Sequence, residues 1–187
     1  MSSPAVDACN KLGGTRDIDN RTRKNGDGVP STTEYDMGAH ESPRGLGHKC
    51  AGKKATIVGT SGPDTLTGTP GNDTIVALGG RDLVKGRSGN DTICAGSGND
   101  RVEAGGGRDK VFGQSGRDRV FGVGGHDVLK GQGGHDVLRG GNGNDVLRGQ
   151  GGNDGLRGEA GTDNLSGGAG SDSLNGGSGG GLSLIHI

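Results

Sequence analysis

From Ile57 to Leu174 one aliphatic side chain returns at every ninth residue, and the positions between are mostly small or polar. The series is Ile57, Leu66, Ile75, Val84, Ile93, Val102, Val111, Val120, Leu129, Leu138, Leu147, Leu156, Leu165 and Leu174. One apolar position in nine is too sparse for an amphipathic helix and lacks the strict alternation of a long half-buried strand. Two residues before each aliphatic from Leu66 onward stands an aspartate, and two before that a glycine, in all 13 copies. Five residues before the aspartate, ten copies carry glycine and three carry alanine (Ala77, Ala95, Ala104). The unit is G-x-x-G-x-D-x-(L/I/V)-x. Its first six positions predict a turn, because glycine permits positive φ and close backbone approach. Its last three predict a short strand with one side chain inward and two outward. Two units make a coil of 18 residues, so positions 18 apart stack. The predicted fold is all-β, a parallel solenoid of two short-strand sheets with turns along both edges.

Composition alone points the other way. Of 187 residues 46 are glycine and 5 proline, and aromatic residues make up 2%, which reads as a disordered chain without a layered core. Glycine at a fixed period reverses that reading, because it specifies a repeat fold. The 21 basic and 22 acidic residues leave a formal charge of -1, so no global field steers nucleic acid or an anionic membrane. No apolar run approaches the roughly 18 to 20 residues of a membrane span. The first ten residues lack the basic and apolar segments of a signal peptide, as expected of an internal piece of a longer protein or of another export route. Cys9, Cys50 and Cys94 lack zinc-type spacing.

The aspartates carry the chemistry. One edge should align Asp64, Asp82, Asp100, Asp118, Asp136, Asp154 and Asp172, and the other Asp73, Asp91, Asp109, Asp127, Asp145 and Asp163. Like charges stacked at ~5 Å repel by about 1 kcal/mol even in water, and more as the site dries. A hard divalent cation between coils reverses the sign. Ca²⁺ accepts six to eight oxygens, whereas Mg²⁺ demands tighter octahedral geometry. Carbonyls from the turns, including those of Gly80, Gly89, Gly98, Gly107, Gly116, Gly125, Gly134, Gly143 and Gly152, are the expected further ligands. The gaps within the two columns allow 11 sites at most. Turn propensity alone explains the varied Asn72, Asn90, Asn99, Asn144 and Asn153, but not an aspartate that never becomes asparagine.

The unit resembles the RTX nonapeptide G-G-x-G-x-D-x-U-x over residues 56–176. That resemblance implies a right-handed β-roll that binds calcium and belongs to a secreted, bacterial-type protein. The family's second glycine appears only as Gly96, Gly105, Gly141 and Gly168, so sites lacking it are expected to be weakened in geometry rather than lost.

Outward strand and turn positions are crowded with bases, Arg81, Lys85, Arg101, Arg108, Lys110, Arg117, Arg119, Lys130, Arg139, Arg148 and Arg157, read as a solvated surface offsetting the acidic columns. Phe112 and Phe121 are expected to be isolated surface rings, and His126 and His135 solvated turn residues. Residues 1–42 resemble the close of a secreted right-handed parallel β-helix, through Ser3-Pro4-Ala5-Val6-Asp7-Ala8, Asp17, Asp19 and Asp36-Met37-Gly38-Ala39 with Glu41. An EF-hand at Asp17 and Asp19 fails because Gly28 occupies the twelfth loop position. A linker is expected over 43–55. Cys50 and Cys94 either close a disulfide that pins this linker to the early coils or remain free thiols. In the tail, 177–187, Gly181 takes the next aspartate position, and the closing GLSLIHI resembles translated adapter read-through more than a cap. The missing cap predicts fraying from Asp163 onward.

No catalytic constellation is present, so the chain is expected to be non-enzymatic, with any polysaccharide-acting or adhesive domain lying upstream. A calcium-stiffened spacer is the competing function. An RNA-binding glycine/arginine segment, prompted by Arg139-Gly140-Gly141, conflicts with the strict aspartate period and the scarcity of rings for stacking.

Overall fold

The computed structural model describes residues 47–185; the β-helix-like segment expected over 1–42 lies outside the described residues. The elements are β1 (Lys49–Cys50), β2 (Lys53–Lys54), β3 (Ile57–Val58), β4 (Thr65–Thr67), β5 (Thr74–Val76), β6 (Leu83–Ser88), β7 (Thr92–Ser97) and β8 (Arg101–Gly107). They continue as β9 (Lys110–Ser115), β10 (Arg119–Gly125), β11 (Val128–Gly133), β12 (Val137–Asn142), β13 (Val146–Gly151), β14 (Gly155–Ala169), β15 (Ser173–Asn175) and β16 (Ser178–Ile185). No helix occurs among them. Odd-numbered strands from β3 to β13 stack into one parallel face and even-numbered strands from β4 to β12 into the other, and β14 runs across both.

The register is one coil. Val102 pairs with Val120 and Val120 with Leu138 on the even face, and Val111 with Leu129 and Leu129 with Leu147 on the odd face. Each aliphatic therefore lies on its own counterpart one coil away. The two rows meet between the faces in a single apolar cluster, from Ile75 to Leu165 almost wholly shielded from solvent, with Ile57, Leu66 and Leu174 half-buried at its ends. Burying each such side chain contributes about 1.5 to 3 kcal/mol, so a narrow core can exist despite the composition.

Core volume is shared between two positions. All three copies with alanine five residues before the aspartate carry valine as the aliphatic (Val84, Val102, Val111), whereas the six leucine copies from Leu129 to Leu174 carry glycine there. Ala77, Ala95 and Ala104 join the buried cluster. They add apolar volume to the core in copies whose aliphatic is the smaller valine.

Backbone conformation explains the second glycine of the resemblance. The residue four before the aspartate has φ between 76° and 117° in every copy from Leu78 to Gly168, whether or not it is glycine. Leu78, Arg87, Gln114, Val123, Gln132, Gln150 and Glu159 therefore hold a left-handed conformation that costs about 1 to 2 kcal/mol per L-residue.

β1 and β2 form an antiparallel hairpin whose two central residues, Ala51 and Gly52, both have positive φ, as a type I′ turn requires. Cys50 and Cys94 are disulfide-bonded, with Cα atoms 5.7 Å apart. This settles the alternative left open by the sequence. The hairpin covers the outer side of β5 and β7, where Thr74, Val76 and Thr92 are buried although their positions face outward. Lys53 Nζ donates to Thr92 Oγ1 at 3.1 Å. Closing a 44-residue separation restricts the unfolded chain by roughly 4 kcal/mol in the loop-entropy model. At the other end β16 pairs in parallel with β14, at a spacing that shifts by one residue between Ala160 and Thr162.

Two substitutions check this account by thermal unfolding. Leu138→Ala, fully buried between its stacked neighbours, should cost about 2 to 4 kcal/mol. Val123→Gly should stabilise by up to about 1 kcal/mol, because an exposed β-branched residue leaves the left-handed region and little packing is lost.

Candidate metal centre

All 13 repeat aspartates fall in the two predicted columns, and those from Asp73 to Asp163 are buried, at most 6% exposed. The register that stacks the aliphatics stacks the carboxylates. Each aspartate from Asp82 to Asp172 uses one oxygen to join coils: the Asp100 N–H donates to Asp118 Oδ1 at 2.9 Å, and the Asp118 N–H to Asp136 Oδ1 at 2.8 Å. The same ladder runs along the other edge, from the Asp109 N–H to Asp127 Oδ1 and from the Asp127 N–H to Asp145 Oδ1. The aspartate carbonyl is used too, accepting from the residue after the next aspartate, as from the Val137 N–H to Asp118 O at 2.8 Å.

The second oxygen has no such partner. Eleven Oδ2 atoms, on Asp82, Asp91, Asp100, Asp109, Asp118, Asp127, Asp136, Asp145, Asp154, Asp163 and Asp172, are buried with no hydrogen-bond donor. These are the aspartates that have another one coil earlier in the column. An unpaired buried carboxylate costs several kcal/mol.

Asp64 and Asp73, which open the columns, are satisfied differently. Thr60 donates its N–H and hydroxyl to Asp64 Oδ2 at 2.6 and 3.0 Å, and Thr69 does the same to Asp73 Oδ2 at 2.7 and 2.9 Å. Thr56 Oγ1 also donates to Asp73 Oδ1 at 3.1 Å. These caps were not anticipated. Their only sequence signal is threonine four residues before the aspartate, in the first two copies alone.

Glycine leaves an opening beside eight of the eleven free oxygens. A Cβ on Gly113 would lie 2.6 Å from Asp118 Oδ2 and 2.8 Å from the Gly131 carbonyl oxygen, which belongs to the next coil. The glycines two residues before the aspartate, Gly80, Gly89, Gly98, Gly107, Gly116, Gly125, Gly134, Gly143 and Gly152, have φ between 114° and 136°. Each lies against the matching glycine one coil earlier. A Cβ on Gly89 would sit 2.6 Å from the Gly71 carbonyl oxygen, so no side chain fits.

The position just before the aspartate builds a further ladder. Asn90 Oδ1 accepts the Arg108 N–H at 2.7 Å, and Asn99 Oδ1 accepts the Arg117 N–H at 2.8 Å. His126 and His135 act as asparagines here: their Nδ1 atoms accept the Asn144 and Asn153 N–H groups at 2.7 Å, which places any ring proton on Nε2. Both are exposed, as expected, but they are also structural acceptors. The phenylalanines are not isolated rings. Arg101 lies 4.5 Å and Arg139 5.7 Å from the Phe121 centroid, and Lys130 lies 5.2 Å from that of Phe112.

The donor set fits a hard cation. It consists of oxygen alone, buried carboxylate oxygens lack partners, and turn glycines bring main-chain carbonyls close. Among the described residues no three His, Cys, Asp or Glu side chains converge on one point, so a cation would depend on main-chain oxygens beyond the carboxylates. Ala77, Ala95 and Ala104 put a methyl group where other copies leave the opening, beside Asp82, Asp100 and Asp109.

Burial raises the carboxyl pKa values most in mid-column. Desolvation pushes Asp118 and Asp127 up to about 7, and Asp100, Asp109 and Asp136 to about 6. The hydrogen bond from the preceding aspartate's N–H opposes the rise, and neighbouring column charges add to it.

A family model for the RTX calcium-binding nonapeptide repeat (4 copies) matches residues 58–93, 95–129, 121–156, 130–165 and 156–181. The search of curated proteins gives no match.

The raised pKa values set the pH dependence of the metal-free roll. Between about pH 4 and 7 the roll holds more protons than the open chain, so its stability is greatest below that window and falls as pH rises through it. In EDTA, β-signal in far-UV circular dichroism should therefore be stronger near pH 4.5 than at pH 7.5. A metal-free roll most stable at pH 7.5 contradicts this account.

Proposed function

Because this chain belongs to the RTX calcium-binding nonapeptide-repeat family, we propose that its roll folds as it binds calcium in an extracellular setting, using the gaps between stacked aspartates along both edges. The observation that carries this reading is the set of eleven buried Oδ2 atoms without a donor, one for each aspartate that follows another in its column. Calcium, when bound, supplies divalent charge and accepts six to eight hard oxygen ligands, which turns repulsion between coils into attraction. The chain's own residues do the rest. Asp82 through Asp172 present the free carboxylate oxygen at one height per coil. The turn glycines from Gly80 to Gly152 permit the close backbone approach and offer carbonyls. The aliphatic rows hold the coil spacing that brings successive carboxylates into reach.

Thr60 and Thr69 end the columns, since the oxygens they satisfy are no longer free. The ligand set is then at most eleven sites, six along the Asp64 edge and five along the Asp73 edge. Binding free energy at those sites acts as folding free energy, because the unfolded chain has no preformed site. The family's secreted members support placing this roll where calcium is abundant.

Two measurements test the proposal on the full chain. Adding millimolar CaCl₂ to the metal-free protein at pH 7.5 should convert a coil-like spectrum to a β-rich one, and MgCl₂ should not. Asp118→Ala should remove the two sites that share this residue and lower the bound calcium accordingly. Unchanged stoichiometry, or an identical response to magnesium, overturns the stacked-column reading.

A further inference from the structure

Residues 47–185 carry 15 lysines and arginines and 15 acids, but 13 of those acids are the repeat aspartates. The columns are largely buried, so among residues 47–185 outward-pointing charge is almost all positive, with Glu103 and Glu159 as the acids outside the columns. The even balance of these residues therefore conceals an inside that is negative and an outside that is positive.

Four of these fifteen bases, Arg81, Arg101, Arg117 and Arg119, lie along one edge of the even face. The parallel register sets Arg101 beside Arg119, one coil (~4.8 Å) apart. Arg81, Arg117 and His135 lie on the adjoining turn row. Together they line an open groove of about 740 Å³ that runs across successive coils. Among the described residues only Arg101 of these is in an ion pair, with Glu103. Asp64, Asp82, Asp100 and Asp118 also line the groove, so an anion entering it meets like charge until the column is neutralised.

We propose that this arginine-lined groove binds a linear anionic polysaccharide, carboxylated or sulfated. The proposal rests on the calcium reading, because neutralising the aspartate column turns the groove from mixed to cationic. Arginine's planar fork suits both carboxylate and sulfate. A row of guanidinium groups repeating with the coil suits a regularly charged polymer better than a compact anion. Nucleic acid is disfavoured. The two phenylalanine rings are already engaged by Arg101, Arg139 and Lys130, leaving little for bases to stack on. An anionic membrane is disfavoured as well, because among the described residues the exposed large apolar side chains are Val123 and Val137.

The test uses the full chain and chondroitin sulfate oligosaccharides, with neutral dextran and duplex DNA as comparators. Isothermal titration in millimolar CaCl₂ and in EDTA is paired with circular dichroism on the same samples. Expected are binding of chondroitin sulfate in calcium only, no binding of dextran, and weaker binding of DNA. The combined substitutions Arg81→Gln, Arg117→Gln and Arg119→Gln should leave calcium-induced folding intact and weaken glycan binding about tenfold or more. Lys110→Gln, Lys130→Gln and Arg148→Gln on the other face should change it by less than about twofold. A spectrum that does not respond to calcium sinks the underlying reading. A calcium-folded chain that ignores the glycan, prefers DNA, or loses affinity equally in both triple variants overturns the groove proposal alone.

Discussion

Parallel stacking at an offset of one coil places every side chain on its own counterpart, and the rest of this structure depends on that identity. For aliphatic residues it is favourable, since matched shapes pack into a continuous apolar column. For aspartate it is costly, since it aligns like charges and buries them. From Asp82 to Asp172 the Asp-to-Asp ladder satisfies Oδ1 on each carboxylate and leaves Oδ2 free. The roll thus combines an apolar core with edges whose buried charge must be met, as protons meet it in acid. The Oδ2 atoms are therefore better regarded as an unmet requirement than as a defect.

Glycine serves this arrangement in two places for different reasons. Two residues before the aspartate it is required by close contact, because a side chain would enter the carbonyl of the coil before it. Four residues before, it would only relieve conformational cost. Glutamine, valine and others occupy that position, and the ladder of hydrogen bonds holds them left-handed. The strain is spread along the roll and is tolerated because neighbouring coils over-determine the turn.

The separation of charge follows from the strand geometry. In x-U-x only the aliphatic faces inward, so bases at the flanking positions point to solvent while the aspartates turn into the edge. A nearly neutral chain thereby becomes a polar object in cross-section. The columns supply most of the negative charge that balances the arginines of the outer surface.

Much of this was legible in the sequence. Thirteen uninterrupted copies are enough to establish the coil length, the inward aliphatics, the two aspartate columns and the family, because a period acts on every coil alike. Departures from the period were harder to read. Thr60 and Thr69 look like ordinary turn residues until their hydrogen bonds to the column ends are seen, and His126 and His135 reveal their asparagine-like role only through the backbone N–H each meets. The Cys50–Cys94 pairing needed the hairpin to fold back over β5 and β7, a placement that lies outside the repeat and that spacing cannot encode. The sequence by itself determined the repeat and the chemistry that repeat can offer, since both follow from local pattern multiplied along the chain. Tertiary structure alone decided which oxygens stay unpaired, which cysteines meet and where positive charge collects, because each depends on distances between residues that only stacking brings together.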